Sequence, residues 1–387
     1  MVIYLDCAAT TPVDPEVLEV VNHYMVEEFG NAGSRHLFGA AAKRGVERAR
    51  EQIAEAVACD PSEVIFTSGA TESNNLAILG LADEGERTGR KHIVSTEIEH
   101  KSVLEPLRHL ASRRGFEVTL VPPNSGGWVD PKALVARVRR DTLLVSIMSV
   151  NNETGVIQPI QECSEALRAH EAYLHVDAAQ ALGKVTHIEH SRIDLLSISG
   201  HKVFGPKGVG SLVMRRRAWE DPPLAPIMFG GGQERGLRPG TLPVAIIAGL
   251  GKAIEMCVAS RQSRSLANQA ARQSLRRVLL ALGARVVGDE ARSVESIITV
   301  EIPGLDGEAA MVALRDYVAI SNGSACTSSS RAPSHVFSAM GYEAERTGSI
   351  LRLSWSHNTQ ASAIEGVFGK LSTMRYQEGL SRDVTEA

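Results

Sequence analysis

The sequence predicts an α/β protein: a large domain with a mostly parallel mixed sheet covered by helices, plus a smaller α+β domain. Three observations carry this. Short apolar runs alternate with helical stretches through the first two-thirds of the chain, the pattern of parallel strands joined by crossover helices. Around Pro239–Gly251 that alternation gives way to a long polar-faced helical stretch. The chain has 387 residues, 43% of them hydrophobic and 22% charged, which is enough for a large core and two domains.

In chain order, Met1 to Asp6 reads as a short strand. Further candidate strands are Val64–Thr67, His92–Ser95, Glu117–Val121, Leu143–Ser149, Leu174–Val176, Leu195–Ser199 and Gly210–Met214. Helical patterns lie between them at Ala40–Val57, Glu72–Ala82 and Ile160–His170. Beyond the change come a helix over Ala245–Leu282, a strand over Ser296–Glu301 and a helix over Gly307–Tyr317. A Ser/Gly-rich loop, a helix over Pro333–Met340 and a strand over Ile350–Ser354 follow, and the tail after Gly379 reads as frayed. The expected division is 15–255 for the large domain, and 1–14 with 256–387 for the small one.

Composition excludes several classes. A net charge of −4 argues against an electrostatic nucleic-acid binder, and Arg215-Arg216-Arg217 reads as a solvated strand end. No apolar run reaches membrane-spanning length, and the N-terminus lacks the charged and apolar regions of a signal peptide. The five cysteines, Cys7, Cys59, Cys163, Cys257 and Cys326, contain no C-x-x-C pair. That speaks against a zinc site or redox dithiol and for a reducing cytoplasm, with most thiols serving as small core residues.

The chemistry begins at Lys202, in Ser199-Gly200-His201-Lys202 just after an apolar run, and at Asp177, which closes another run in Tyr173-Leu174-His175-Val176-Asp177. A lysine and an aspartate at the ends of neighbouring strands suit pyridoxal phosphate. The amine forms a Schiff base with the cofactor aldehyde, and the carboxylate keeps the ring nitrogen protonated so that the ring withdraws electrons. Thr67 to Asn75 follows a strand and opens a helix. Gly69, Ala70 and Thr71 there form a candidate phosphate cup at a helix N-terminus, an ordinary Ser/Thr N-cap being the plainer alternative.

His100 follows a strand and could stack on a planar ring or move protons. Asn152, in the polar knot Val150 to Gly155, could orient a carboxylate, although Asn and Gly also favour turns. Gln180 stands three residues after Asp177. The run Gly230 to Thr241 reads as a loop passing close to a ligand or another subunit rather than a linker, because a linker needs no Gln, Glu and two Arg. Cys326 sits in the polar stretch Ser321 to Arg331, where a thiol suggests a nucleophile. Arg352, in a candidate buried strand, wants a carboxylate: a substrate's, or one of its own chain.

Together these segments resemble the cysteine desulfurase family, in the class-V aminotransferase group of fold type I pyridoxal phosphate enzymes. The matching stretches run in consistent order from Tyr4–Pro12 through Phe66–Asn75, Val150–Ile160 and Ser197–Gly210 to Gly323–Ser328 and the strand bearing Arg352. The resemblance implies that Lys202 carries the cofactor, Asp177 pairs with its ring nitrogen, Gln180 with its phenolic oxygen, and His100 stacks on the ring. It also implies that Ala70, Thr71, Ser199 and His201 line the phosphate site, that Thr241 is contributed by the other subunit of a homodimer, and that Arg352 and Asn152 hold the substrate carboxylate. Cys326 would accept sulfur from L-cysteine as a persulfide and pass it to an acceptor protein, with alanine released.

The chain departs from the family pattern in places. Cys7 stands where the family usually has Asn, Asn31-Ala32-Gly33-Ser34 replaces Asn-Pro-Ser-Ser, and Arg238-Pro239-Gly240-Thr241 replaces Arg-Ser-Gly-Thr. The extension with which housekeeping members dock an iron–sulfur scaffold is not recognisable after Gly366. The acceptor pathway therefore stays open among iron–sulfur assembly, thionucleoside synthesis and DNA phosphorothioation. A selenocysteine lyase, another class-V aminotransferase-like enzyme and a scaffold that has lost chemistry are the alternatives.

Overall fold

The computed structural model describes residues 2–186, 188, 192–322 and 333–360. Cys326 and the tail after Gly379 lie outside the described residues. The strands are β1 Ile3–Tyr4, β2 Val64–Thr67, β3 His92–Thr96, β4 Glu117–Val121, β5 Thr142–Met148, β6 Tyr173–Asp177, β7 Leu195–Ser199, β8 Gly210–Met214, β9 Arg285–Val286, β10 Ile297–Glu301, β11 Val318–Ala319 and β12 Ile350–Ser354. The helices are α1 Pro15–Val26, α2 Leu37–Val57, α3 Ala70–Leu79, α4 Ala82–Thr88, α5 Lys101–Arg114, α6 Pro131–Val135, α7 Ile160–Ala166, α8 Val244–Ala259, α9 Arg261–Ala281, α10 Gly307–Leu314, α11 His335–Ala339 and α12 Ala344–Thr347.

Strands β2 to β8 form one sheet in the order β2-β8-β7-β6-β5-β3-β4. Its pairings are parallel from β7 through β4, and β8 runs antiparallel to both β7 and β2. Strands β2, β3, β5, β7 and β8 are buried along their whole length. A sheet covered on both faces needs apolar side chains on both, which is why these strands read as continuous runs. Val64 and Phe66 enter one core while Ile65 enters another, as the two-residue period of a strand requires. A three-stranded sheet, β12-β10-β9, and the pair β1-β11 complete the strands. Leu5, Leu275, Leu279, Val300, Leu353 and Trp355 share a separate core there. The N-terminal strand thus packs with the C-terminal third of the chain.

Three sequence expectations change. The helix over Ala245–Leu282 is two, α8 and α9, broken at Ser260, whose hydroxyl bonds back to Met256 O at 2.5 Å; such back-bonding competes with the helix's own ladder. The helix over Glu72–Ala82 is likewise two. Gly80 O accepts from Ala225 N, and a Cβ on Gly80 would meet Ala225 O at 2.9 Å. Arg215 is no solvated strand end: it is 6% exposed and donates to the carbonyls of Val57, Ile188 and Ile193. Among the described residues no helix is long and apolar enough to cross a membrane.

Candidate active site

Ligands of open α/β sheets bind beyond the carboxyl ends of the strands. In this protein β6 ends on Asp177 and β7 on Ser199, with Lys202 in the single 3-10 turn that follows. Strand β2 delivers the turn into α3. Between these ends lies a cavity of ≈ 770 Å³. Ala70, Thr71, His100, Asn152, Asp177, Gln180, Ser199, His201, Lys202 and Arg352 all line it. Thr241 does not: it is exposed at the end of the Gly230 to Thr241 loop.

The local chemistry explains these placements. Gly69 caps α3 with φ 150° and ψ 178°, a conformation open essentially to glycine alone. A Cβ on Gly210 of β8 would sit 2.6 Å from Gly69 Cα, so two glycines let the turn pack onto the sheet edge. The α3 N-terminus consequently faces the cavity with Thr71, and Ser199, His201 and Lys207 lie on the same lining. His201 Nδ1 is 3.1 Å from Thr10 Oγ1. Burial, aided by Lys202 and Lys207, pushes the His201 pKa down to about 4, so the ring is neutral at pH 7.

Lys202 Nζ donates to Ala8 O at 2.6 Å and Ala9 O at 2.7 Å. Asp177 is 6% exposed. Its Oδ1 accepts from Ala179 N at 2.9 Å and its Oδ2 from Asn74 Nδ2 at 2.8 Å. Both donors are neutral, and a buried carboxylate is costly without charge compensation. Gln180 Nε2 donates to Ala8 O, and its Oε1 accepts from Lys184 Nζ, each at 2.8 Å. His100 caps α5 by accepting from Ser102 N through Nδ1.

Arg352 realises the own-chain alternative while still lining the cavity: Nη2 donates to Asp6 Oδ1 at 2.7 Å and Nη1 to Asn152 O at 2.9 Å. Its buried Nε has no partner among the described residues.

Sequence reasoning passed over several lining residues. Lys207 comes five residues after Lys202 in Gly205-Pro206-Lys207-Gly208, where the Gly/Pro turn was the available signal. Glu153, inside the polar knot, accepts from Ser334 Oγ at 2.5 Å, and burial raises its pKa to about 7. Ser102 carried no local signal, and neither did Asn74, which is fully buried and reaches the lining only through its bonds to Asp177 and Ser102. Cys7 lies behind the wall of the cavity, beside a small pocket of ≈ 40 Å³, and its thiol is pushed up to about 12, chiefly by burial.

The donor set fits pyridoxal phosphate. Anion donors (Thr71, Ser199, His201, Lys207 and the α3 terminus), a buried carboxylate and a primary amine share its lining. Among the described residues a Cβ on Gly69 would meet nothing within 4 Å, so the cup has room for a phosphate at the helix terminus.

The chain matches the family model for aminotransferase class-V over residues 3–367. It is 44% identical over 371 residues to the cysteine desulfurase IscS of Salmonella arizonae, covering 94% of this chain and 90% of that one. The solved structure of DndA from Streptomyces lividans is similar at 52% identity and a TM-score of 0.81, over 91% of this chain and 99% of that one. SspA in complex with cysteine is similar at 35% identity and a TM-score of 0.80, over 91% and 98%. A fold type I sheet with this site defines a pyridoxal phosphate enzyme of the class-V aminotransferases. Within that class the chain belongs to the cysteine desulfurase family.

Proposed function

We propose that the chain works as a cytoplasmic homodimer that takes sulfur from L-cysteine onto Cys326, releases alanine and hands the sulfur to an acceptor protein. The division into 15–255 and 1–14 with 256–387 belongs to the same reading. The observation that carries it is the convergence of Lys202, Asp177, His100 and Arg352 on one cavity, far apart though they are in sequence.

When bound, pyridoxal phosphate supplies an electron-withdrawing ring that stabilises negative charge at the substrate α-carbon. Lys202 would hold it covalently, Asp177 would pair with its ring nitrogen and Gln180 with its phenolic oxygen. Ala70, Thr71, Ser199 and neutral His201 would receive the phosphate, with Thr241 of the partner subunit closing the cup. Arg352 and Asn152 would orient the substrate carboxylate. Once the substrate amine has taken its place, the freed Lys202 amine would accept the α-proton, and His100 would cover the ring and move protons at the cavity wall. The Cys326 thiolate attacks the substrate sulfur: a new S–S bond forms as the Cβ–S bond breaks, and that electron pair stays with the carbon fragment, which leaves as alanine once protonated. The thiol of Cys7, held near 12 by burial, is a poor nucleophile, which favours Cys326.

Mass analysis after adding cysteine tests this. A persulfide on Cys326 and stoichiometric alanine are expected. Lys202→Ala should lose the visible absorbance of the bound cofactor, and Cys326→Ser should keep that absorbance while losing the persulfide. Normal sulfide release by Cys326→Ser would move the nucleophile elsewhere. Relative rates on cysteine and selenocysteine separate the lyase alternative.

A further inference from the structure

Asn74 is fully buried on α3. Its amide nitrogen donates in two directions, to Asp177 Oδ2 and to Ser102 Oγ, each at 2.8 Å. Charge fixes that orientation, because a flipped amide would set its oxygen against the carboxylate. An amide nitrogen carries two hydrogens, and both are now spent. Ser102 Oγ accepts one of them, so its own hydrogen is available to a different acceptor. His100 Nδ1 lies 2.8 Å away. The same ring nitrogen is 3.1 Å from Ser102 N, a backbone donor that cannot reverse. A nitrogen facing two donors is an acceptor, and a neutral imidazole with one acceptor nitrogen carries its proton on the other.

We propose that Asn74 and Ser102 are positioning residues that hold His100 as the neutral tautomer with its proton on Nε2. Every hydrogen from Asp177 to His100 then has one allowed place. The opposite tautomer would direct an Nδ1–H at the Ser102 backbone N–H and leave the serine hydroxyl without its acceptor. The device keeps His100 uncharged on the lining of a cavity that already contains Lys202, Lys207 and Arg352, without adding another cation. It deepens the role given to His100 above and rests on that reading for the reaction it serves; the tautomer itself rests on the geometry.

The test is long-range proton–nitrogen correlation NMR on holoenzyme labelled with 15N-histidine, with His100 assigned by its loss in His100→Gln. The expected result is an Nδ1 without hydrogen and an Nε2 bearing one. Ser102→Ala leaves Nδ1 only the longer backbone donor at 3.1 Å; it should admit a minor fraction of the other tautomer and lower kcat about tenfold, a small part of the range for acid–base catalysis, with KM for cysteine and the cofactor absorbance unchanged. Ser102→Thr, which keeps a hydroxyl, should restore the parent spectrum. A protonated Nδ1 in the parent enzyme, or a Ser102→Ala spectrum identical to the parent's, overturns the proposal. The expected spectra in an enzyme that forms no persulfide would support the tautomer and sink only the reaction proposed above.

Discussion

Arg352 Nη2 lies 2.7 Å from Asp6 Oδ1, so the guanidinium lining the cavity is already braced by a carboxylate of its own chain. Asp6 follows β1 and meets β12 at Ser354, and it therefore ties the N-terminal strand to the strand that carries the arginine. Only one edge of the fork is used by Asp6. Bidentate carboxylate recognition needs the remaining donors held in a fixed direction.

If Asp6 orients Arg352 for the substrate, Asp6→Ala should raise KM for cysteine roughly tenfold with kcat little changed. Asp6→Asn keeps an acceptor and should stay near the parent. Arg352→Ala should cost more, about 10–100-fold, given ~1.5–3 kcal/mol for a hydrogen bond to a charged group. Steady-state kinetics decides. Equal KM values for Asp6→Ala and the parent would show that the bridge is only structural.

The loop that carries Thr241 is anchored at Glu234. Arg50 and Glu234 form an ion pair at 2.8 Å, the glutamate side chain 2% and the arginine side chain 11% exposed, and Glu234 Oε2 also accepts from Phe66 N on β2. Glu234 and Arg235 adopt positive φ, 47° and 57°, which non-glycine residues do only when their surroundings compel it. Arg50→Ala strands the buried Glu234 carboxylate and should destabilise by about 3–5 kcal/mol. Glu234→Ala should cost less, because Arg50 keeps Glu47 at 3.5 Å. The double variant should cost well under their sum, because neither charge is then left alone. Urea unfolding of the four proteins measures this; strict additivity would dismiss the pair as the anchor.

Glu153 makes stability fall with rising pH. Burial lifts its carboxyl from 4.5 to about 7, so between those values the folded chain keeps a proton that the unfolded chain releases. Stability is therefore fullest below 4.5 and is lost as pH climbs through 7, by on the order of 3 kcal/mol at ~1.4 per unit. His175, buried between Ser146 and Ser197, acts the other way. Its pKa is depressed from 6.5 to about 4, and its contribution is lost as pH falls through that window. The two slopes oppose each other between 4.5 and 6.5. Glu153→Gln should therefore gain stability relative to the parent more at pH 8 than at pH 4.5, read from urea midpoints at the two pH values. An equal difference at both would assign Glu153 an ordinary carboxylate pKa.

Much of this protein was legible from one dimension. The buried strands announced themselves as apolar runs because both faces of the sheet are covered, and the ends of those runs marked Asp177, Ser199 and Lys202 because a doubly covered sheet leaves only its strand ends for chemistry. Gly69 was visible as a turn, since its backbone conformation admits little else. The tertiary structure decided what depends on distance between remote segments. Asp6 meets Arg352, Arg50 meets Glu234, and Asn74 joins Asp177 to Ser102, pairings that span from 28 to 346 residues, where no periodicity or spacing carries information. Helix breaks at Gly80 and Ser260 were hidden for the same reason: a neighbouring backbone and a hydroxyl's bond to its own helix ended elements that the local pattern would have continued. Residue types set which chemistry the chain can perform; packing alone set which group each hydrogen bond and charge is spent on.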